Sequence, residues 1–147
     1  IVDIFQVQDA AGEPFDHSGK LAKMSVYLQQ ALSGEINLEQ EFAAYQKEYA
    51  YAQKQLPMQG QVFIENNASS LCTVIEVSSY DRAGFLYEIT STIAQQGLTI
   101  VTAHISTYGT QVSDVFYVKD NFGMKVAHDS RVQQIRQSLL KAVNGAV

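Results

Sequence analysis

The sequence predicts an α+β protein, in which strands and amphipathic helices follow one another along the chain. Three observations support this fold class. Segments with alternating apolar residues, typical of strands, are interleaved with segments whose apolar residues recur three and four positions apart, as on one face of a helix. A strand–turn–helix unit occurs twice. The 147 residues are 46% hydrophobic, so the chain is long and apolar enough to bury a core.

The internal repeat is the clearest sign of how the chain is organised. Val2–Gly34 aligns without gaps with Ser113–Gly145. The identical pairs are Asp3/Asp114, Phe5/Phe116, Val7/Val118, Asp9/Asp120, Gly12/Gly123, His17/His128, Leu28/Leu139, Ala31/Ala142 and Gly34/Gly145. Each copy combines an alternating strand ("DIFQVQD" or "DVFYVKD"), a turn and a helix, so we expect equivalent parts of two related modules.

The helix of each copy carries a matched apolar stripe. The stripe residues are Leu21, Met24, Leu28 and Leu32 in the first copy and Val132, Ile135, Leu139 and Val143 in the second. Polar residues beside each helix start are the expected N-caps: Asp16 or Ser18, and Asp129 or Ser130. Gly34 and Gly145 stand where the two helices are expected to end.

Only the second copy is preceded by further elements of its module. These are a strand at Leu71–Ser79, the junction "DRAGFL" at Asp81–Leu86, a helix to Gln96, a strand at Leu98–Thr107 and, after the turn "TYGT", a strand at Gln111–Lys119. The order is therefore β-α-β-β-α. A short strand at Val62–Ile64 is expected to form a hairpin with Leu71–Ser79.

Three regions follow from this order. Residues 1–36 are the C-terminal part of a first module, residues 37–60 a helical connector, and residues 61–147 a second, nearly complete module. We expect the chain to be a piece of a longer protein, whose first module borrows sheet partners from the second module or from another chain. The connector has an apolar stripe and should end before Pro57; it either packs on the sheets or serves as a coiled-coil or partner-binding helix. The stripe residues are Leu38, Phe42, Tyr45, Tyr49, Ala52 and Leu56.

The bulk composition excludes several classes of partner. A net charge of -5 lacks the basic footprint that nucleic acid and anionic membranes require, and neither is expected as a partner. The single cysteine, Cys72, forbids an intrachain disulfide and fits a reducing cytoplasm. No apolar run approaches the ~20 residues of a membrane span.

The "DRAGFL" junction is the main candidate for a binding site. The N–H groups at a helix N-terminus are unpaired and attract anions, so Gly84, Phe85 and Leu86 would receive a carboxylate. Gly84 has no Cβ to block a ligand, and Asp81 would pair with an ammonium group. Together these groups suit a free α-amino acid. In the alternative, Asp81 caps the helix, Arg82 is solvated, and Phe85 and Leu86 are core residues.

The strand "LTIVTAHIST" contributes a second set of candidates. Its alternation predicts Val101, Ala103 and Ile105 on the face under the helices. Thr102, His104 and Ser106 should face the other way, with Glu76, Val115 and Tyr117. That face is expected to be a sheet-to-sheet contact or a ligand edge. No ligand spacing accompanies His104, so a metal site is not expected.

These residues resemble an ACT domain, the ferredoxin-like module that senses small molecules. The resemblance is carried by "VIEV", "DRAGFL", "AHISTYG" and "DVFYVKDNFG", with "DIFQVQDAAGEPF" upstream. It implies a βαββαβ sandwich whose four-stranded antiparallel sheet has its helices on one face. Ala83 departs from the usual Pro, and Phe85 from the usual Leu, which bears on how tightly a ligand is held.

Within this family the chain more closely resembles the second of two C-terminal ACT domains of the bacterial protein-PII uridylyltransferase/uridylyl-removing enzymes. The resemblance implies a cytoplasmic parent that transfers UMP to the PII signal protein when glutamine is scarce and removes it when glutamine is abundant. Magnesium is implied for the parent, with no cofactor in this chain and no catalytic residue.

By the same resemblance the ACT pair senses glutamine, with a neighbouring ACT module reading its side-chain amide. The implied ligand-binding residues are Asp81, Arg82, Ala83, Gly84, Phe85, Leu86, Thr102 and His104. Two alternatives stay open. The ACT pair serves only dimerisation or domain docking, or it is the sensor of another parent, such as an amino-acid biosynthetic enzyme or a stringent-response synthetase.

Overall fold

The computed structural model describes residues 13–14, 17–49 and 59–144, which fall into two compact units, residues 1–44 and 45–147. Several predicted features lie outside the described residues. They are the strand of the first repeat copy, Asp16, Gly145 and the end of the connector before Pro57.

The first unit contains helix α1 (Ser18–Ser33) and most of α2 (Leu38–Tyr49). Gly34 ends α1 as predicted, because its φ of 78° lets the chain leave the helix in a left-handed conformation. Asn37 starts α2, since its side-chain oxygen accepts a hydrogen bond from the N–H of Gln40 at 3.2 Å.

Three of the four predicted N-caps, Ser18, Asp129 and Ser130, are wrong because they lie inside the two repeated helices. His17 occupies the cap position of α1, and its carbonyl accepts the N–H of Leu21 at 2.9 Å. The equivalent His128 caps helix α4 (Asp129–Asn144), with its carbonyl 3.0 Å from the N–H of Val132. In both helices the residue before the first helical position is a histidine whose carbonyl accepts the first helical hydrogen bond, which any residue can do, so side-chain chemistry did not mark these helix starts.

The second unit is an antiparallel sheet covered by two helices, which confirms the predicted fold class. Its elements are β1 (Gln61–Glu65), β2 (Thr73–Tyr80), α3 (Phe85–Gln95), β3 (Leu98–His104), β4 (Thr107–Tyr108), β5 (Gln111–Asp120) and α4. The sheet order is β1-β2-β5-β3, with β4 also paired to β5. The predicted hairpin is confirmed, since Val62 of β1 lies opposite Val77 of β2.

Both helices pack on one face of this sheet. Alternate residues of the strands and the apolar stripes of α3 and α4 share a single core. Its fully buried large side chains include Ile75, Phe116, Ile89, Ile93, Ile135 and Leu139. The α4 stripe is thus a core stripe, as its spacing predicted.

The predicted face of the third strand is partly wrong. Val101 and Ile105 are 54% and 46% exposed, whereas Leu98 and Ile100 contact the core. Ala103 is exposed but lies opposite buried Phe116, on the predicted face. A bulge between Ile100 and Thr102 inserts one extra residue. The alternation therefore changes phase at Val101, which strict periodicity does not foresee.

The same strand is shorter than predicted because the edge breaks after His104. The N–H of Ser106 donates to the Asp114 carboxylate at 3.1 Å, and the carbonyl of Ser106 accepts the N–H of Ser113 at 2.9 Å. The chain resumes pairing only at β4, where Thr107 lies opposite Val112.

Candidate functional site

The Asp81–Leu86 loop joins the end of β2 to the start of α3. The N–H of Asp81 donates to the carbonyl of Thr110 at 2.9 Å, which ties the loop to the β4–β5 turn. Gly84 is the N-cap of α3 with a φ of 80°, a left-handed conformation that costs an L-residue roughly 1–2 kcal/mol. The backbone conformation alone thus favours glycine at this position.

The donors that this loop offers differ from the predicted set. The N–H of Phe85 donates to the carbonyl of Arg82 at 3.0 Å, so that group is already committed. The first hydrogen bond of α3 runs from Glu88 N–H to the Gly84 carbonyl at 3.0 Å. The N–H groups of Gly84 and Leu86 come before this first helical donor in the chain, at the positive end of the helix.

Arg82 is partly buried, with 26% of its side chain exposed, and does not extend freely into solvent. One guanidinium nitrogen lies 2.5 Å from the Glu88 carboxylate and 2.9 Å from the carbonyl of Ala142. The guanidinium carbon is 5.4 Å from the centre of the Phe85 ring. Arg82 therefore ties the loop to both helices, α3 through Glu88 and α4 through Ala142.

The remaining loop residues divide between core and surface. Phe85 is 3% exposed and belongs to the core, whereas Leu86 is 41% exposed. Ala83 and Gly84 are half-buried, and Asp81 is exposed. The alternative that made both Phe85 and Leu86 core residues is thus right for Phe85 alone, and Leu86 lies beside the proposed carboxylate position.

A buried carboxylate beside the loop was missed by the sequence analysis. Asp114 is 1% exposed and faces the core side of β5, opposite Val77. Burial raises the pKa of Asp114; the Ser106 N–H opposes this by stabilising the carboxylate, and the charge of Asp81 adds to it. The identity of Asp3 and Asp114 within an apolar strand was the signal that marked it.

Thr102 and His104 lie on a different surface. They face the side of the sheet away from the helices, opposite Tyr117 and Val115, as predicted. The His104 and Tyr117 rings meet edge-on, 5.9 Å between centroids. His104 pairs with Val115 of β5, whereas Tyr80, the last residue before the loop, pairs with Gln111. These two positions on β5 are four residues apart, or about 14 Å at ~3.4 Å per residue. Within one module, the structure does not bring His104 to the Asp81–Leu86 loop.

Two clefts lie along the helix pair of the second unit. One, of about 410 Å³, is lined by Arg82, Glu88, Thr92, Gln95, Ser138, Lys141 and Ala142. The other, of about 390 Å³, lies where α3 ends and α4 begins, and its lining includes Gln96, Asp120, Phe122, His128 and Arg131. The first cleft reaches the loop through Arg82.

Two further findings concern the described residues as a whole. Within residues 13–14, 17–49 and 59–144, no three His, Cys, Asp or Glu side chains are grouped as a metal site. In that same part of the chain, each helix is too short or too polar to cross a membrane.

Relatives of the chain share one name, bifunctional uridylyltransferase/uridylyl-removing enzyme. The protein from Azospirillum brasilense is 43% identical over 143 residues, which are 97% of this chain and 15% of that protein. Those from Rhodospirillum rubrum and Gluconobacter oxydans are 35% and 36% identical over 146 residues, covering 99% of this chain. The aligned segments make up 16% and 15% of those two proteins, so the chain spans about a sixth of the length of these relatives.

A family model described as the ACR family N-terminal ACT domain matches residues 68–145. The match covers β2 through α4 and includes both the Asp81–Leu86 loop and Asp114. The predicted resemblance to an ACT domain is thereby confirmed, and the chain belongs to the ACT domain family.

Proposed function

We propose that this chain is the amino-acid-sensing ACT region of a bifunctional uridylyltransferase/uridylyl-removing enzyme, and that glutamine is the amino acid sensed. The observation that carries the proposal is the 43% identity to an enzyme of that name over 97% of the chain. The name shared by the relatives favours this parent over a biosynthetic enzyme or a stringent-response synthetase.

The geometry of the Asp81–Leu86 loop supports amino-acid binding. The Gly84 and Leu86 N–H groups receive the ligand carboxylate, and the exposed Asp81 carboxylate receives its ammonium group. Asp114, buried nearby, adds a second acidic group at this end of the sheet. The Asp81 carboxylate favours an ammonium group at this end of the sheet, and the choice of glutamine among the α-amino acids rests on the resemblance.

The remaining parts of the proposal rest on the resemblance. A neighbouring ACT module, in the same chain or another, reads the glutamine amide, with Thr102 and His104 available on the open face of the sheet. The parent adds UMP to the PII signal protein and removes it by hydrolysis, with magnesium, in the cytoplasm. Its catalytic residues lie outside this chain.

Calorimetric titration with glutamine, and with glutamate as the competing ligand, tests the proposal. Wild type should bind glutamine more tightly than glutamate. Gly84→Leu should abolish glutamine binding, because its side chain fills the space that the ligand carboxylate needs.

Gly123→Leu is the matched control for backbone strain. Gly123 has a φ of 75° with no atom near its Cβ position, so the strain is similar and roughly 1–2 kcal/mol, but the residue lies outside the loop. This variant should bind glutamine as wild type does. Unchanged affinity in Gly84→Leu would remove the loop from the site.

The structure also favours one alternative, that this region docks other domains. The sheet face turned away from the helices carries Phe63, which is 53% exposed, with half-buried Val115 and Tyr117. Absence of glutamine heat in wild type, together with concentration-dependent association through this face, would support docking over sensing.

A further inference from the structure

Arginines tie helices α3 and α4 together at both ends. Arg82, just before α3, donates to the Ala142 carbonyl in the last turn of α4 at 2.9 Å. Arg131, in the first turn of α4, donates to the carbonyl of Gln96, which caps α3. Each arginine thus places a positive charge at the negative, C-terminal end of the opposite helix. The two contacts form a reciprocal clamp.

The two halves of the clamp differ in what else they touch. Arg131 also contacts the side-chain oxygens of Gln96 and Gln134, at 3.1 and 2.9 Å, and lies at the far end of α3 from the loop. Arg82 belongs to the loop itself, and its own carbonyl accepts the Phe85 N–H next to Gly84. A change in the backbone of the loop therefore displaces Arg82 and its contact with Ala142, but not the contact between Arg131 and Gln96.

The last turn of α4 is in turn joined to the start of β1. The Asn144 side-chain oxygen accepts the N–H of Gly60 at 3.0 Å, and its amide nitrogen donates to the Leu140 carbonyl at 2.8 Å. Val143 packs so closely that a Cβ on Gly60 would lie 1.8 Å from its Cγ1 atom. The end of α4 and Gly60 are thus in direct contact.

We propose that Arg82 is a positioning residue that couples the occupancy of the Asp81–Leu86 loop to the last turn of α4 and to Gly60. The inference rests on the proposed amino-acid binding. In one state the Arg82 guanidinium holds the Ala142 carbonyl. In the other it withdraws into the cleft of about 410 Å³ that it already lines. A ligand held by the Gly84 and Leu86 N–H groups orders the loop and favours the first state.

The coupling has a reciprocal consequence. If glutamine strengthens the contact between Arg82 and Ala142, that contact strengthens glutamine binding by the same factor. Removal of the guanidinium should then weaken glutamine affinity and disconnect the end of α4 from the ligand. A merely structural arginine would lower stability without disconnecting them.

Hydrogen exchange of the amides of Gly60 and of residues 140–144, with and without glutamine, tests the inference. In wild type, saturating glutamine should slow exchange about fivefold or more, the lower end of usual couplings between sites. Arg82→Met should bind glutamine more weakly and, at saturation, lose this slowing. Arg131→Met removes the other half of the clamp and should retain the slowing.

If Arg82→Met does not fold, the conservative variant Arg82→Lys takes its place in the same exchange measurement. In Arg82 one nitrogen makes both contacts, to Glu88 and to Ala142, but a lysine ammonium ends one bond short of that nitrogen and is more strongly hydrated, so the slowing should fall here too. Full slowing in either Arg82 variant, or equal loss in Arg131→Met, overturns the inference. Glutamine heat in wild type without slowing overturns this inference alone. No glutamine binding by wild type overturns the proposed function and the inference together.

Discussion

Asp114 illustrates how a single residue responds to its surroundings. Its carboxylate is enclosed on the core side of β5, where loss of solvent disfavours the charged form. The Ser106 N–H compensates in part, at 3.1 Å, and at the same site breaks the edge strand between β3 and β4. One buried carboxylate thereby shapes the sheet edge and the electrostatics beside the Asp81–Leu86 loop.

The raised pKa of Asp114 gives a pH dependence of definite sign. The folded state holds the proton more tightly than the unfolded chain, so this residue favours folding at low pH. The contribution is lost as pH rises from the unfolded pKa, near 3.8, through the raised folded pKa. Asp114→Asn keeps an oxygen for Ser106 but cannot ionise. Urea unfolding across this pH range should show that the variant gains stability relative to wild type as pH rises; parallel curves would contradict this.

The two repeated helices show how the same apolar stripe has different outcomes at the scale of an element. In α4, Ile135, Leu139 and Val143 are at most 3% exposed because the sheet covers them. No residue of α1 is buried within the described part of the chain, and Leu28, the equivalent of Leu139, is 40% exposed. A stripe at helical spacing establishes which face is apolar but not whether a sheet covers that face.

Truncation of equivalent leucines measures this difference. Leu139→Ala should lower the free energy of unfolding of the second unit by about 2–5 kcal/mol, because it opens a cavity in the core. Leu28→Ala should cost under roughly 1 kcal/mol, since a half-exposed side chain loses few contacts. Chemical denaturation followed by circular dichroism provides the measurement. Equal costs would mean that the α1 stripe is covered in solution.

At the scale of the whole molecule, the sheet of the second unit separates two surfaces with different residues. One face carries the helices, the core and the Arg82 contacts. The other carries Phe63, Tyr117 and His104. The proposed sensing by the loop and the alternative function of docking by the open face are therefore physically separable, which allows each surface to be altered alone.

Phe63→Ser tests that separation. Phe63 is 53% exposed, so the free energy of unfolding should change by less than about 1 kcal/mol. If the loop alone binds the amino acid, calorimetric affinity for glutamine should equal that of wild type. Sedimentation velocity of the same variant reports association through the open face. A loss of glutamine binding would instead place the ligand against this face, beside Thr102 and His104.

The sequence by itself determined the order of strands and helices, the hairpin of β1 with β2, the core stripe of α4, and the loop at which β2 meets α3. These features follow from periodicity and turn chemistry, which depend on neighbouring residues. Only the tertiary structure decided the bulge at Val101, the burial of Asp114 and the inward turn of Arg82. Arg82 and Ala142 are 60 residues apart in the chain. A contact between residues so far apart leaves no local pattern in the sequence. The direction of the Arg82 side chain is therefore decided only when the sheet brings α3 and α4 together.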